Sequence, residues 1–363
     1  MSNDQIGAEE RGERPGAAAS APWTAGGRRP PARPADGPPG PGPMPLVATG
    51  ACWICGAEAW DRVWSDPLDL SDLERFGPHA HAAHPPSRVV RCRACGFGQP
   101  EALPGRPDYF AVLYERPWPP EALEADFAHP YRDLVYGRVL AGLRRHRGAA
   151  APATLLDVGA HTGRFLALAR AAGWEAEGVE LNPVTAAFAA RRSGAAVRAA
   201  AAQDLAAGGR RYGAVTLTDV LEHIPRPVEV LAGLRPLLAP GGVLAVKVPH
   251  GPAQRLKEGL RRRALGPDWR RHHVGVMVRY AHVNHFTVGS LRGCLERAGF
   301  ARVEVGVGAP ELLPRSWPGR TRAEAAAALL RRAAAAAARA VPGGVHTPLA
   351  MNLQAFAQIG DGG

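Results

Sequence analysis

From residue 153 onward, short apolar runs alternate with stretches whose apolar residues recur every three or four positions. A chain patterned in this way has few means of burying its hydrophobic side chains. ATLLDVG is followed by the helical pattern GRFLALARAAG, which stops at Gly173. EAEGVEL comes next, then a helix opened by Asn182 and Pro183 as N-cap and first-turn residue, then a weak strand at AVRAA. GAVTLTD, the helix PVEVLAGLRPLL, a break at Pro240-Gly241-Gly242 and the run VLAVKVP complete the block. Strands of about 5–8 residues between helices of about 10–14 predict βαβ units around a parallel sheet. Beyond residue 273, Thr287–Gly299 reads as a helix and ARVEVGVG as a strand. The capping box Thr321-Arg322-Ala323-Glu324 opens an Ala-rich helix that ends at Pro342-Gly343-Gly344. The alternating run NLQAFAQI adds an antiparallel strand.

Residues 1–48 have a different texture. They are rich in Pro, Gly and Ala, with five acids balancing five arginines, and cannot bury enough apolar area to offset their ordering entropy. A disordered tail is expected there. Residues 49–108 hold two Cys-x-x-Cys pairs, Trp53, Trp60, Trp64 and many prolines, as in a small domain that needs a staple. Residues 109–150 carry Leu134, Val135, Val139, Leu140 and Leu143 at helical spacing and are expected as a helical linker or lid. Residues 151–363 form the main domain, with an Ala-rich helical insertion at 311–344. No apolar run reaches the roughly 18 residues of a membrane span, and MSNDQIGAEERGERPG lacks the apolar core of a secretion signal. A cytoplasmic protein is expected.

In an open parallel sheet, ligands sit beyond the carboxyl ends of the strands. Leu155-Leu156-Asp157-Val158-Gly159-Ala160-His161-Thr162-Gly163 joins the first strand to the first helix, and its glycines allow a ligand to approach the backbone closely. Glu180 ends the second strand, where a carboxylate can accept both hydroxyls of a ribose. A dinucleotide-binding domain is disfavoured because the loop lacks Gly-x-Gly-x-x-Gly.

These residues resemble the class I S-adenosylmethionine (SAM)-dependent methyltransferases over roughly residues 150–309 plus the final strand. LLDVGAHTGRF resembles their first motif, GVELN their ribose-binding strand end, TDVLEHIPRPVEVL their fourth-strand motif, and LRPLLAPGGVLAVKVP the following helix and strand. HVNHFTVGSLRGCLERAGF resembles the segment before their antiparallel hairpin. The resemblance implies a Rossmann-like α/β domain of seven strands, mostly parallel with an antiparallel last strand, preceded by a small zinc-binding domain and the disordered tail. It implies that Asp157, Gly159, Ala160 and Gly163 surround the methionine part of SAM, that Glu180 and Leu181 flank the ribose, and that Asp204 meets the adenine. Asp219 then faces the methyl-transfer centre. Two positions depart from the pattern: His161 replaces the middle glycine of the loop, and Gly213 replaces an aspartate common at the start of the fourth strand.

Methyl transfer is an in-line displacement that needs a positioned acceptor and often a base, for which histidine fits best. Candidates follow the fourth and fifth strands: His223, His250, His272, His273, His282 and His285, of which His223 and His285, with Asp219, are the expected catalytic residues. Glu222-His223 also reads as a structural pair shaping the loop under the cofactor. Asp219-x-x-Glu222-His223 resembles, in addition, the acid-x-x-Glu-His set of small-RNA 2′-O-methyltransferases and some quinone O-methyltransferases, which with a later His would hold Mg²⁺ or Mn²⁺.

Cys52-Trp53-Ile54-Cys55 and Cys92-Arg93-Ala94-Cys95 are each followed by glycine, Gly56 and Gly96. Two such knuckles can place four thiolates around a structural Zn²⁺, with His79, His81 and His84 in the intervening loop. Cys294 lies on an apolar helix face with Leu291 and Leu295 and is expected in the core. This front end resembles the Cys₄ domain of bacterial methyltransferases acting on small metabolites, including C-methyltransferases of nucleotide-linked deoxysugars. Those sugar enzymes carry a further C-terminal domain, where this chain has the Ala-rich helix and one strand.

The net charge of +11 suggests a polyanion partner. Yet Lys247 and Lys257 are the only lysines among 44 Lys+Arg, and an excess of Arg, Ala, Gly and Pro is what GC-rich coding produces whatever the function. Nucleic acid is therefore not the expected partner, although an RNA methyltransferase or a non-catalytic SAM-binding protein are the alternatives. The charge is concentrated in Arg255–Arg271, with seven cations and two acids. That run is expected as a solvated helical face or as the recruiter of an anionic small molecule, such as a nucleotide-linked sugar or a carrier-bound acyl group.

Overall fold

The computed structural model describes residues 46–62, 89–105, 118–265, 282–314, 316–317 and 321–360. Most of the tail, Trp64, His79, His81, His84, His272 and His273 lie outside the described residues. The cysteine-bearing front end is built from short strands: β1 (Leu46–Ala48), β2 (Trp60–Arg62), β3 (Val89–Cys92), β4 (Gly98–Pro100) and β5 (Ala102–Pro104). They form the antiparallel pair β1-β5 and the sheet β2-β3-β4.

Helices α1 (Pro120–Ala128) and α2 (Asp133–His146) follow, joined by a single 3₁₀ turn at Pro130–Arg132. Val135, Val139, Leu140 and Leu143 of α2 are buried, whereas Leu134 of the expected apolar stripe is exposed, one position off the face that meets the sheet. Then come β6 (Thr154–Val158), α3 (Arg164–Ala171), β7 (Glu175–Glu180), α4 (Pro183–Ser193), β8 (Ala196–Ala199), β9 (Tyr212–Thr218), α5 (Pro227–Leu234) and β10 (Leu238–Pro249). Helix α6 (Gly251–Leu265), α7 (Val288–Arg297), β11 (Phe300–Val307), α8 (Arg322–Ala340) and β12 (Asn352–Ile359) complete the chain.

Local chemistry accounts for the element ends. Asn182 Oδ1 accepts from Thr185 N at 2.9 Å, capping α4 with Pro183 in its first turn. Thr321 and Glu324 cap α8 reciprocally. The break expected at Pro240-Gly241-Gly242 is instead a bulge within β10: the strand already pairs with β9 at Leu238 and shifts register before Val243. Gly213 has a packing reason, since any Cβ there would strike the Pro152 carbonyl.

The main sheet runs β11-β12-β10-β9-β6-β7-β8. Strands β6 to β10 run parallel to one another, and β12 lies antiparallel between β10 and β11. The last strand of the chain thus becomes an interior strand, with Leu353, Ala355, Phe356 and Ala357 buried. One face packs on α2 and α3. The other packs on α5 and α7, and its apolar core extends to Cys52, Cys92 and Phe97 of the front end.

Candidate functional site

The apolar strand β6 delivers the chain into the glycine loop. Gly159 N and Ala160 N donate to Val179 O, tying the loop to β7. Glu180, at the end of β7, accepts from His161 N at 2.9 Å and from Asn182 N at 3.2 Å. Leu181, next to it, is exposed, as is Asp204 in the 3₁₀ segment Ala202–Gly208. Gly159 and Gly163 have φ of 76° and 79°. A Cβ on Gly163 would lie 2.7 Å from Ala189 O, a backbone atom that cannot swing away. Gly163→Ala is therefore expected to destabilise the protein by about 2 kcal/mol or more, through left-handed strain and overpacking together, as read from its thermal unfolding.

His161 occupies the left-handed region at φ 45°, the conformation a glycine would supply without strain. Its ring stands edge-on to Trp118 and has Nδ1 3.5 Å from Asp126 Oδ2, so α1 holds the imidazole that replaces the expected glycine. Thr162 Oγ1 donates to the same Asp126 oxygen at 3.4 Å. Arg164 pairs with both oxygens of Asp133 at 2.6 Å, locking α3 to α2. Asp157 points into the sheet core and accepts from Thr216 Oγ1 at 2.7 Å. Burial, with the charge of Glu180, pushes its pKa up to about 7.

At the end of β9, Asp219 adopts φ 57° and its N–H donates to Lys247 O. The fully buried Lys247 ammonium donates to Asp219 Oδ1 and, at 2.8 Å, to Glu311 Oε1. Beyond Asp219 a 3₁₀ turn carries Glu222 and His223. Its carbonyls anchor the segment 282–285: Val283 N and Asn284 N donate to Glu222 O, and the Asn284 amide donates to Leu221 O and Ile224 O. This segment places His282 Nε2 3.8 Å from Glu222 Oε1, while His223 Nε2 is 4.0 Å from that oxygen. Burial, reinforced by the charge of Asp219, pushes the Glu222 pKa up. The Gln254 side chain on α6 joins His282 Nδ1 at 2.9 Å to His285 Nδ1 at 3.0 Å. His285 is buried, and its backbone exchanges both hydrogen bonds with Gly98 of the front end. Burial pushes its pKa down to about 4. His250 is likewise buried, bound through Nδ1 to Ala350 O at 2.8 Å.

The four front-end cysteines converge. Cys52 and Cys95 sulfurs are 3.6 Å apart, those of Cys55 and Cys92 are 3.5 Å apart, and all four lie within 4.8 Å of one another. A tetrahedron with Zn–S of about 2.3 Å has edges of about 3.8 Å, so this donor set could chelate such an ion. Gly56 and Gly96 take φ of 75° and 74°, as the knuckle turns require. Cys294 is apart from them, buried on α7.

The structure thus gathers Asp157, Gly159, Ala160, Gly163 and Glu180 around one loop and Asp219, Glu222, His223 and His282 at the next strand end. Gln254 links His285 to His282 of that set, while the His285 backbone pairs with Gly98 of the cysteine unit. Asp126, Lys247, Glu311 and Gln254 were not singled out from sequence as site residues. Lys247 alone carried a signal: it is a charge inside the otherwise apolar run VLAVKVP, in a chain with two lysines.

Strand order with β12 inserted antiparallel, the glycine loop and the acidic residue ending β7 define a class I SAM-dependent methyltransferase domain, preceded by a cysteine cluster that could chelate a metal. Residues 131–305, just under half of the chain, match the family model described as a methyltransferase domain, and this match supports a SAM-dependent methyltransferase function for that domain. No curated protein matches it. Among solved structures it is similar to a SAM-dependent methyltransferase from Archaeoglobus fulgidus, at 18% identity and a TM-score of 0.40, over 62% of this chain and 93% of that one. It is also similar to magnesium protoporphyrin IX methyltransferase from Synechocystis, at 13% identity and a TM-score of 0.39, over 63% and 83%. A third similar structure is a sugar N-methyltransferase from Streptoalloteichus, at 30% identity and a TM-score of 0.26, over 33% and 47%. No helix among the described residues is long and apolar enough to cross a membrane.

Proposed function

We propose that the chain transfers the SAM methyl group to an oxygen or carbon of a small molecule, a sugar, polyketide or other specialised metabolite, with His223 as the base. The observation that carries this reading is the recessed set beyond β9. Glu222, His282 and Lys247 are buried behind Asp219, and only His223 and Asp219 keep about a fifth of their side chains exposed, 20% and 19%. Such a site suits an acceptor that enters whole. Asp219, held by Lys247, contributes negative charge beside the sulfonium. His285 is a weak base at neutral pH and buttresses the segment that carries His282. Exposed Lys257 and Arg263 on α6, which leaves the end of β10, would favour an anionic acceptor. The cysteine unit holds a structural Zn²⁺ in this reading.

His223→Ala is expected to lower kcat by about 10²–10⁴-fold while leaving the dissociation constant of S-adenosylhomocysteine (SAH) unchanged. The assay follows labelled methyl transfer from SAM to a panel of sugars, polyketides and RNA. Full activity in the variant removes His223 from the chemistry. Salt-sensitive methylation of RNA alone would replace the small-molecule reading.

One observation favours a second reading, in which His223 is a metal ligand rather than the base. Both oxygens of buried Glu222 lack a hydrogen-bond partner, and one donor atom each from Glu222, His223 and His282 lies within 4.8 Å of the others. These three residues would hold Mg²⁺ or Mn²⁺, which would supply a Lewis acid to the acceptor oxygen; Asp219 is engaged by Lys247 instead. In the same assay, activity insensitive to added Mg²⁺ and Mn²⁺ and to chelators rejects the ion.

A further inference from the structure

Helix α6 and the cysteine-bearing front end meet at His285. Asp61 stands opposite Arg91 in the pair β2-β3, Arg91 opposite Gly98 in the pair β3-β4, and Gly98 opposite His285 in an antiparallel bridge. Residues directly opposite one another project from the same face of a sheet, so these four form one row. Gly98 has no side chain, which leaves a gap in the row between Arg91 and His285. A Cβ at Gly98 would lie 3.0 Å from His285 Cβ. A Cβ at Gly251, the first residue of α6, would lie 3.4 Å from that same atom. Arg255, four residues on, shares this face of the helix, and its neighbour Gln254 joins the His285 imidazole at 3.0 Å. Two guanidiniums are thus carried to one buried histidine from separate elements.

Their charges are poorly matched by the fold. Arg255 is half-buried, and no carboxylate among the described residues pairs with it. Burial, and after it the charge of Arg91, lowers its pKa. The charge of Arg255 also reaches the buried imidazoles of His250 and His285. Asp61 is already shared, accepting from Arg91 Nη2 and Arg93 Nε, both at 2.8 Å. Three arginines against one carboxylate leave an excess of two positive charges in this group. Withdrawing a cation from water beside a like charge is costly, and an anion between the two guanidiniums offsets that cost. The planar donor forks of arginine match phosphate. Helix α6 also leaves the carboxyl end of β10, the end of the sheet at which Asp219 and His223 stand.

We infer that Arg255 and Arg91, across the gap left by Gly98, bind a phosphate or diphosphate group of the acceptor. The inference deepens the small-molecule reading and rests on it for what the site takes. It gives the cysteine unit a part in substrate recognition as well as in folding.

The test titrates the full chain, without SAM or acceptor, with inorganic pyrophosphate, uridine diphosphate and pantetheine 4′-phosphate by calorimetry. Wild type is expected to bind pyrophosphate with a dissociation constant below about 1 mM. Arg255→Ala should weaken it about tenfold and Arg255→Lys by less, with SAH affinity unchanged as the measure of an intact fold. Arg263→Ala removes an exposed cation about two turns along the same helix and should change it by less than about twofold. Where Arg255→Ala also loses SAH, Arg255→Lys carries the comparison. Tighter binding of uridine diphosphate than of pyrophosphate points to a nucleotide-linked acceptor, and tighter binding of pantetheine 4′-phosphate to a carrier-bound one. A wild type that does not bind pyrophosphate saturably overturns the site, a result that needs no variant to fold. So does an Arg255→Ala protein that binds it as wild type does, or equal losses in Arg255→Ala and Arg263→Ala, which mean an adventitious ion only. Methylation of RNA alone in the acceptor panel would instead remove the small-molecule reading, a result the pyrophosphate titration does not depend on.

Discussion

Glu180→Ala is expected to weaken SAH and SAM binding by about 10²-fold or more, the largest single-residue effect on cofactor affinity in this chain. The carboxylate has about four lone-pair sites, and the fold uses one on each oxygen, for His161 N and Asn182 N. The remaining two are free for the paired hydroxyls of a ribose. If the ribose binds there, as we propose, removing the group loses those charge-assisted bonds, each worth roughly 1.5–3 kcal/mol, and it also frees the backbone of a loop held in a left-handed conformation at His161. Glu180→Gln, which keeps acceptor oxygen but not charge, should lose less. Calorimetry with SAH measures both. An unchanged dissociation constant for the alanine variant would mean that the ribose lies elsewhere.

The second large effect is expected far from the cofactor. Cys92→Ala should abolish bound zinc, lower the melting temperature and cut methyl transfer, whereas Cys294→Ala should leave the metal in place. If four thiolates hold zinc, as we propose, their binding energy is folding energy, about 10–16 kcal/mol in zinc-finger peptides. Loss of one thiolate forfeits much of it. The effect reaches the active site through packing. The knuckle residues Cys92 and Cys95 flank the turn into Phe97 and Gly98. The Phe97 ring lies 5.3 Å from Phe286, and Gly98 pairs with His285. These contacts hold the segment that brings His282 to Glu222 and fastens the loop with Asn284. Metal content, melting temperature and single-turnover rate should therefore fall together. Zinc retained by Cys92→Ala, or a zinc-free variant with full activity, would break the connection.

Much of the fold was legible because its determinants are local. The glycine loop needs two residues with positive φ between a strand and a helix, and Gly159 and Gly163 mark them directly. Glu180 is marked by ending a strand, and the four cysteines by knuckle spacing. His223 and His282 were both named among six candidate histidines, but nothing in their spacing says that they meet. The segment carrying His282 is docked by backbone bonds to Glu222 O, some sixty positions away, and backbone groups leave no trace in the residue pattern.

By itself the sequence determined the alternation of strands and helices, the capped helix starts, the glycine loop with the acidic residue ending the next strand, and the cysteine quartet. Each is specified by residues within a few positions of one another or by a side chain with a single chemical use. Only the tertiary structure decided that the last strand enters the sheet between β10 and β11, and that the buried Lys247 ammonium is shared by Asp219 and Glu311. It also decided that the His285 backbone pairs with Gly98 of the front end while its imidazole meets Gln254. These outcomes depend on how separately specified elements pack, and burial alone makes an unpaired charge costly enough to choose its partner.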